Sequence, residues 1–357
     1  MNSEFKVGDR WVGSEHPTYF IADIAANHDG EIERAKKLIH LAAEAGVDAV
    51  KFQHFEAETL VSDFGFKALG QQDTHQALWE KSVFDMYEAA SVPPDWAHAL
   101  KQVSDGVGVH FFSTPYSLAA VELLDSVGVL AHKIGSGDIT WPEIIRQVGK
   151  SGKPVFIATG ASDLEDVKRA MDVLMADNAK ICLMQCNTNY TGSSGNFDHI
   201  HLKVIETYAQ TWPSVVAGLS DHTLGHATVL GAVALGARAI EKHFTDDRNR
   251  AGSDHPFSMD PAEWREMIDR TRELEAALGH GRKMVAENEL ETIVVQRRCL
   301  RAKAALPVGT ILEAEQFVPL RPAPVGAVLP FELESISGRI LNRDLEAGQH
   351  LTSDDFS

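Results

Sequence analysis

The sequence predicts an α/β chain: a (β/α)8 barrel followed by a small β-rich domain. Three observations carry this prediction. Between residues 19 and 279, eight short apolar runs alternate with polar loops and amphipathic stretches. Eight such units in roughly 260 residues match the size of a closed parallel barrel. A doubly wound open sheet is the alternative, but it calls for a Gly-rich phosphate fingerprint after the first strand, and Asn27-His28-Asp29-Gly30 is not one. The third observation is that the chain changes character after residue 296, where a segment repeats itself once.

The eight predicted strands are 19–26, 49–53, 109–113, 130–135, 154–159, 181–186, 215–220 and 238–243. The clearest helix between them is 31–45, with Ala35, Leu38, Ile39, Ala42 and Ala45 on one face. The last helix, 259–278, opens on Asp260 as N-cap and Pro261 in the first turn, and Gly279-His280-Gly281 ends it. Residues 1–281 are therefore expected to form the barrel domain. Residues 282–296 are charged, lack periodicity and read as a linker. In the tail, 297–357, Leu306, Gly309, Leu312 and Phe317 match Leu345, Gly348, Leu351 and Phe356 at a constant offset of 39 residues. In each copy the glycine supplies a tight turn, the following leucine opens a strand, and the acidic stretch before the phenylalanine suggests one helical turn. Two copies are too few for a solenoid, so a small pseudo-symmetric domain is expected.

A chain of 357 residues accommodates one large and one small domain. Its net charge of −18 argues against nucleic acid and anionic membrane as partners, since both need a basic face. An anionic substrate would have to be held by few, local cations. No apolar leader opens the sequence, and no run of about 18 apolar residues occurs, so the expected setting is the cytoplasm. Three cysteines, Cys182, Cys186 and Cys299, do not form a disulfide framework.

The active site of a parallel barrel lies at the C-terminal ends of its strands. Those ends carry Asn27-His28-Asp29, Lys51-Phe52-Gln53, Ser113-Thr114, Lys133 to Asp138, Thr159-Gly160, Asn187 to Tyr190, Ser220 to Thr223, and Glu241 to Thr245, with Asp23 inside the first strand. Lys51 and Lys133 end buried strands, where a lysine is costly unless it meets an anion. With Ser113, Thr114, Ser136, Thr159 and Ser220 they could cradle a phosphate and a carboxylate. The simpler alternative is a structural ion pair with Asp23 or Asp138. His222 and His243 end successive strands, which suits a shared metal ion with open positions for substrate; a core imidazole or an acid/base catalyst is the alternative for each. Residue types alone do not choose the metal. His28 and His226 are weaker candidates, His110 and His132 are expected to be structural, and Lys242 should point outward by strand alternation.

These motifs resemble the sialic acid synthase family, which includes N-acetylneuraminate, legionaminic and pseudaminic acid synthases. The resemblance spans nearly the whole chain and rests on AANHDG (25–30), VKFQ (50–53), FSTP (112–115), KIGSGD (133–138), GLSDHT (218–223), EKHFT (241–245) and GSDHPFSM (252–259), with Arg321-Pro322 in the tail. It implies a TIM barrel with a C-terminal antifreeze-like (SAF) domain, swapped across a homodimer. It implies condensation of phosphoenolpyruvate with an N-acetylated hexose such as N-acetylmannosamine, with a divalent metal, Mn2+ or Mg2+, on His222 and His243. By the same matching, Lys51, Thr114, Lys133, Ser136 and Ser220 would hold phosphoenolpyruvate. Gln53, Tyr190 and Asp254 would contact the sugar, and Arg321 would reach a partner's site to bind its acetamido group. Asp138 is the candidate for steadying the developing cation or activating water.

The sequence departs from the family pattern in three places. Asp23 and Asp138 stand where the family often has Glu. Ala158 replaces a serine, leaving Thr159 as a substitute phosphate donor. The phosphate-binding asparagine is displaced, making Asn187 and Asn189 the candidates. A related synthase acting on a phosphorylated aldose is the competing enzyme reading; it needs further cations near the rim, and few are found: Arg248 and Arg250 just past the eighth strand, then Lys67 and Lys81. A non-catalytic carbohydrate-binding protein is the remaining alternative, and it leaves the lysines and histidines unexplained.

Overall fold

The computed structural model describes residues 3–69, 81–178 and 180–357, which divide into two compact units between Gly279 and His280. The first unit begins with an antiparallel hairpin, β1 (Glu4–Val7) and β2 (Arg10–Gly13). Eight parallel strands follow: β3 (Tyr19–Asp23), β4 (Ala49–His54), β5 (His110–Pro115), β6 (His132–Ile134), β7 (Val155–Ala158), β8 (Ile181–Cys186), β9 (Val216–Asp221) and β10 (Ala239–His243). They form a closed barrel in sequence order, with β10 paired to β3, as expected from the sequence.

The helices form because their apolar residues recur at helical spacing and their ends are capped. Helix Ile32–Ala45 buries Ala35, Leu38, Ile39, Ala42 and Ala45, and ends at Gly46 in the left-handed conformation, φ 91°. Helix Pro261–Leu278 opens with Pro261 and a capping box between Asp260 and Glu263. The floor of the barrel is aromatic. Phe112 stacks on Phe156 with centroids 5.4 Å apart, Tyr19 lies 6.0 Å from Phe156, and Phe5 of the hairpin approaches Phe156 at 5.8 Å. Water is therefore excluded below, and polar inward positions collect toward the C-terminal ends of the strands. His110 and His132 are structural, as expected: His110 meets Tyr19 and Asp9, and His132 meets Asp125.

The second unit is small and β-rich, with β11 (Cys299–Ala302) antiparallel to β12 (Phe317–Leu320). The two copies of the repeat pair with each other: the Leu306 and Leu345 amides each donate to the other's carbonyl at 2.8 Å. Gly309 and Gly348 share a left-handed φ, 88° and 81°, and both acidic stretches form 3-10 turns, Ala314–Gln316 and Ser353–Asp355. The segment expected as a featureless linker carries a helix, Leu290–Gln296, and belongs to this unit. At seven residues it is too short for a helical periodicity to stand out. Among the described residues, no helix is long and apolar enough to cross a membrane.

Candidate active site

Strand alternation turns residues 23, 51, 133, 220, 241 and 243 into the upper barrel, where they form a buried charged layer. Lys51 donates to Asp23 at 2.6 Å, and Lys133 to Glu241 at 2.7 Å. Glu241 also lies 3.9 Å from Lys51 and accepts from the Ser220 hydroxyl at 3.2 Å, so one carboxylate joins both lysines. Burial alone would raise the Glu241 pKa; Lys133 and then Lys51 overcome it and hold the carboxylate down to about 2. Burial opposes the charge on Lys51, yet Asp23 and Glu241 keep its pKa above the usual lysine value. Lys51 also lies 3.4 Å from the Thr114 hydroxyl. Both lysines are thus ion-paired inside the site, Lys51 with one of its two expected partners and Lys133 with a residue the sequence reading passed over. The signal was present: Glu241 is two residues before His243 and shares its face.

The two candidate metal imidazoles lie together, with ring centroids 5.3 Å apart. The His222 Nδ1 hydrogen-bonds the Asn187 carbonyl at 2.8 Å, which as an Nδ1–H donor leaves Nε2 with its lone pair. Burial, and then the neighbouring His243, lower the His222 pKa to about 3, so the ring is neutral. The buried Nδ1 of His243 has no hydrogen-bond partner and lies 3.8 Å from the Asp254 carboxylate, while Nε2 is 3.6 Å from Asp23. A neutral His222 beside His243, whose buried Nδ1 is orphaned, with carboxylates at hand, fits a divalent cation. Among the described residues no group of three or more His, Cys, Asp or Glu is arranged as a metal set.

Asp254, the expected sugar contact, accepts from the Ala26 amide at 3.3 Å. Tyr190 packs edge-on to His222 at 4.4 Å and against Phe257 at 5.5 Å, and Phe257 lies 4.8 Å from His243. Gln53 reaches Asp23 at 3.4 Å. Asp254, Tyr190 and Phe257 thus surround the two imidazoles, and Gln53 adjoins them through Asp23. On the lysine side, the Ser136 hydroxyl accepts from the Gly160 amide at 2.9 Å. Asp138 is half-buried, one oxygen has no partner, and burial lifts its pKa to about 6.

Three expectations need correction. The Thr159 hydroxyl does not face the lumen: it donates to the Met184 carbonyl at 3.0 Å and accepts from Tyr208 at 2.9 Å, because residue 159 follows inward-facing Ala158 and so has outward parity. The Asn189 side chain accepts from Thr191 and Asn196, which braces its own loop. Asn187 serves the site through its carbonyl on His222, while its side chain bonds the Asn189 amide and the His199 carbonyl. Lys242 points away from the lumen, as expected, and is fully buried against Asp221. Arg321 lies in the second unit, exposed, one residue beyond β12.

Comparison with known proteins places this geometry in context. The NeuB family profile matches residues 38–283, and the SAF domain profile matches 297–357. The chain is 34% identical over 357 residues to an N,N'-diacetyllegionaminic acid synthase of Legionella pneumophila, covering 98% of each. It is 33% identical to human N-acetylneuraminate-9-phosphate synthase, covering 85% of this chain and 83% of that one. A crystal structure of N-acetylneuraminic acid (sialic acid) synthetase from Leptospira borgpetersenii superposes with a TM-score of 0.71 at 27% identity, covering 82% of this chain and 96% of that one.

Proposed function

The chain belongs to the NeuB family of nonulosonic acid synthases, and from that premise we propose that it condenses phosphoenolpyruvate with an N-acetylated hexose such as N-acetylmannosamine. The observation that carries the reading is one mouth that holds both a pair of buried lysines and a pair of imidazoles. Lys51 and Lys133 lie 3.9 and 2.7 Å from a shared carboxylate, and the Asp23 carboxylate joins them to the imidazole pair, 2.6 Å from Lys51 and 3.6 Å from His243. Lys51, Lys133, Thr114, Ser136 and Ser220 would hold the phosphate and carboxylate of phosphoenolpyruvate, and Gln53, Tyr190 and Asp254 the sugar. His222 and His243 would hold a divalent cation, Mn2+ or Mg2+, which when bound polarises the aldehyde of the open-chain sugar.

In the reaction, C3 of phosphoenolpyruvate attacks the aldehyde carbon, forming the new C–C bond as the carbonyl π bond opens to an alkoxide, which takes up a proton to become a hydroxyl. Positive charge develops at C2, where Asp23, Glu241 and Asp138 supply compensating negative potential. Water adds to C2, and Asp138 is suited to accept its proton because burial holds its pKa near 6. The resulting tetrahedral carbon expels phosphate by C–O cleavage, leaving a 2-oxo acid. The lysines stabilise the departing phosphate.

An unphosphorylated sugar is favoured because three of the four further cations are paired: past the last strand, Arg250 with Asp29 and Arg248 with Glu263, and after β4, Lys67 with Asp63. Arg321 would bind the acetamido group of a sugar held by a second copy, which requires a homodimer with exchanged SAF domains. The test is metal-stripped protein given phosphoenolpyruvate, N-acetylated hexoses and Mn2+. Turnover should return with the metal and be absent in folded His222→Ala; full activity in that variant would overturn the role given to the imidazoles.

A further inference from the structure

Behind the charged layer lies a second buried ion pair that the proposed reaction does not use. Lys242 donates to Asp221 at 2.5 Å, and both side chains are 1% exposed. The two are Cα partners in the β9–β10 ladder. Asp221 is the last residue of β9, so His222 stands one residue beyond the strand, where no ladder bond ties it to β10. His243, by contrast, is still in register with Asp23 of β3.

Lys242 reaches past the end of the ladder. Its ammonium donates both to the Asp221 carboxylate and to the Thr223 carbonyl at 2.5 Å, the residues on either side of His222. The carboxylate is held in turn by the Thr223 hydroxyl at 2.8 Å and the Thr228 hydroxyl at 2.7 Å, Thr228 lying in the first turn of helix Ala227–Ala234. One buried cation thus grips the backbone and side chain that bracket one imidazole, and the next residue in its own strand is the other imidazole. A solvated surface lysine would be too mobile for this; a buried, multiply bonded one is not.

We propose that Lys242 and Asp221 are positioning residues that set the spacing of His222 and His243 for a divalent cation. The inference rests on the metal reading of the two imidazoles given above. Neither residue touches substrate or cation; they act through the main chain at 222 and 243. A site that holds a cation with few protein ligands depends on their mutual geometry, since supporting contacts of this kind typically change affinity 10- to 100-fold.

The experiment is isothermal titration of the metal-stripped full chain with Mn2+, and separately with phosphoenolpyruvate, in wild type, His222→Ala and the double variant Asp221→Asn/Lys242→Met. Removing both charges avoids leaving either one buried alone. The double variant should bind Mn2+ at least about 10-fold more weakly, while phosphoenolpyruvate affinity stays within about twofold of wild type. Unchanged Mn2+ affinity in the folded double variant overturns the clamp while leaving the metal reading intact. Equal loss for Mn2+ and phosphoenolpyruvate also overturns it, since that marks general loosening of the barrel. Wild-type Mn2+ binding that survives in His222→Ala overturns the metal reading and the clamp together. If the double variant does not fold, Thr228→Val removes one hydroxyl from Asp221 and should weaken Mn2+ by about threefold; no change there overturns the clamp.

Discussion

Replacing Glu241 by glutamine removes one charge and almost no volume from the centre of the charged layer. Lys133 then stands buried without its carboxylate, and breaking a buried pair costs roughly 3–5 kcal/mol. Lys51 is 3.9 Å from Glu241 and keeps Asp23 at 2.6 Å, so the lower end, about 3 kcal/mol, is expected. The pH dependence has a definite sign. The folded pKa of Glu241 is depressed from 4.5 to about 2, so its stabilisation is present above about 4.5 and is lost as pH falls through about 2. Urea unfolding of wild type and Glu241→Gln should therefore differ by about 3 kcal/mol near neutral pH, with the gap narrowing on acidification below about pH 4.5. Phosphoenolpyruvate should bind the folded variant at least as tightly as wild type, because the anion no longer competes with Glu241 for Lys133. Equal stabilities at neutral pH, or a gap independent of pH, would refute the reasoning. Weaker phosphoenolpyruvate binding would remove Lys133 from between the carboxylate and the anion.

Lys133→Met should weaken phosphoenolpyruvate binding by about 100-fold, as expected for a charge-assisted contact of about 3 kcal/mol, with Mn2+ affinity little changed; titration with each ligand checks this. Asp138 must be ionised to accept a proton, so turnover should fall as pH drops through about 6. Asp138→Asn should lose that acid limb and about 100-fold or more in kcat, as a pH–rate profile would show. Arg321→Ala should raise KM for the sugar with little effect on phosphoenolpyruvate; equal loss for both would point to a structural role.

The barrel was legible because its strands are buried on both faces and most read as short apolar runs that end in polar residues, and the observed strand ends agree with the expected ones to within three residues. The repeat in the tail was legible for a different reason: the same turn glycines and buried leucines recur, and the copies hydrogen-bond to each other. Short elements were not legible. Helices Ala57–Leu60, Asp63–Leu69 and Val83–Ala90 follow β4, and none is long enough to develop a clear apolar face. Within the site, strand ends identified the polar residues, but parity decided their roles. Thr159 and Lys242 fall on outward positions; Glu241 falls on an inward one. Sequence alternation placed Lys242 on the outer face, but not what lay there, since Asp221, Thr223 and Thr228 come together only when helix Ala227–Ala234 packs on β9. Asn187 contributes a carbonyl rather than its side chain, a role residue type cannot announce.

The central claim is a condensation that joins an anion held by lysines to an unphosphorylated N-acetylated sugar. Its most direct test is phosphate release by the purified chain with phosphoenolpyruvate and Mn2+, across N-acetylmannosamine, mannose, 2,4-diacetamido-trideoxyhexoses and arabinose 5-phosphate. The account predicts release that requires both substrates and occurs with at least one N-acetylated hexose, with the product carrying three more carbons than the sugar. Turnover confined to arabinose 5-phosphate, or none with any N-acetylated hexose, would contradict it.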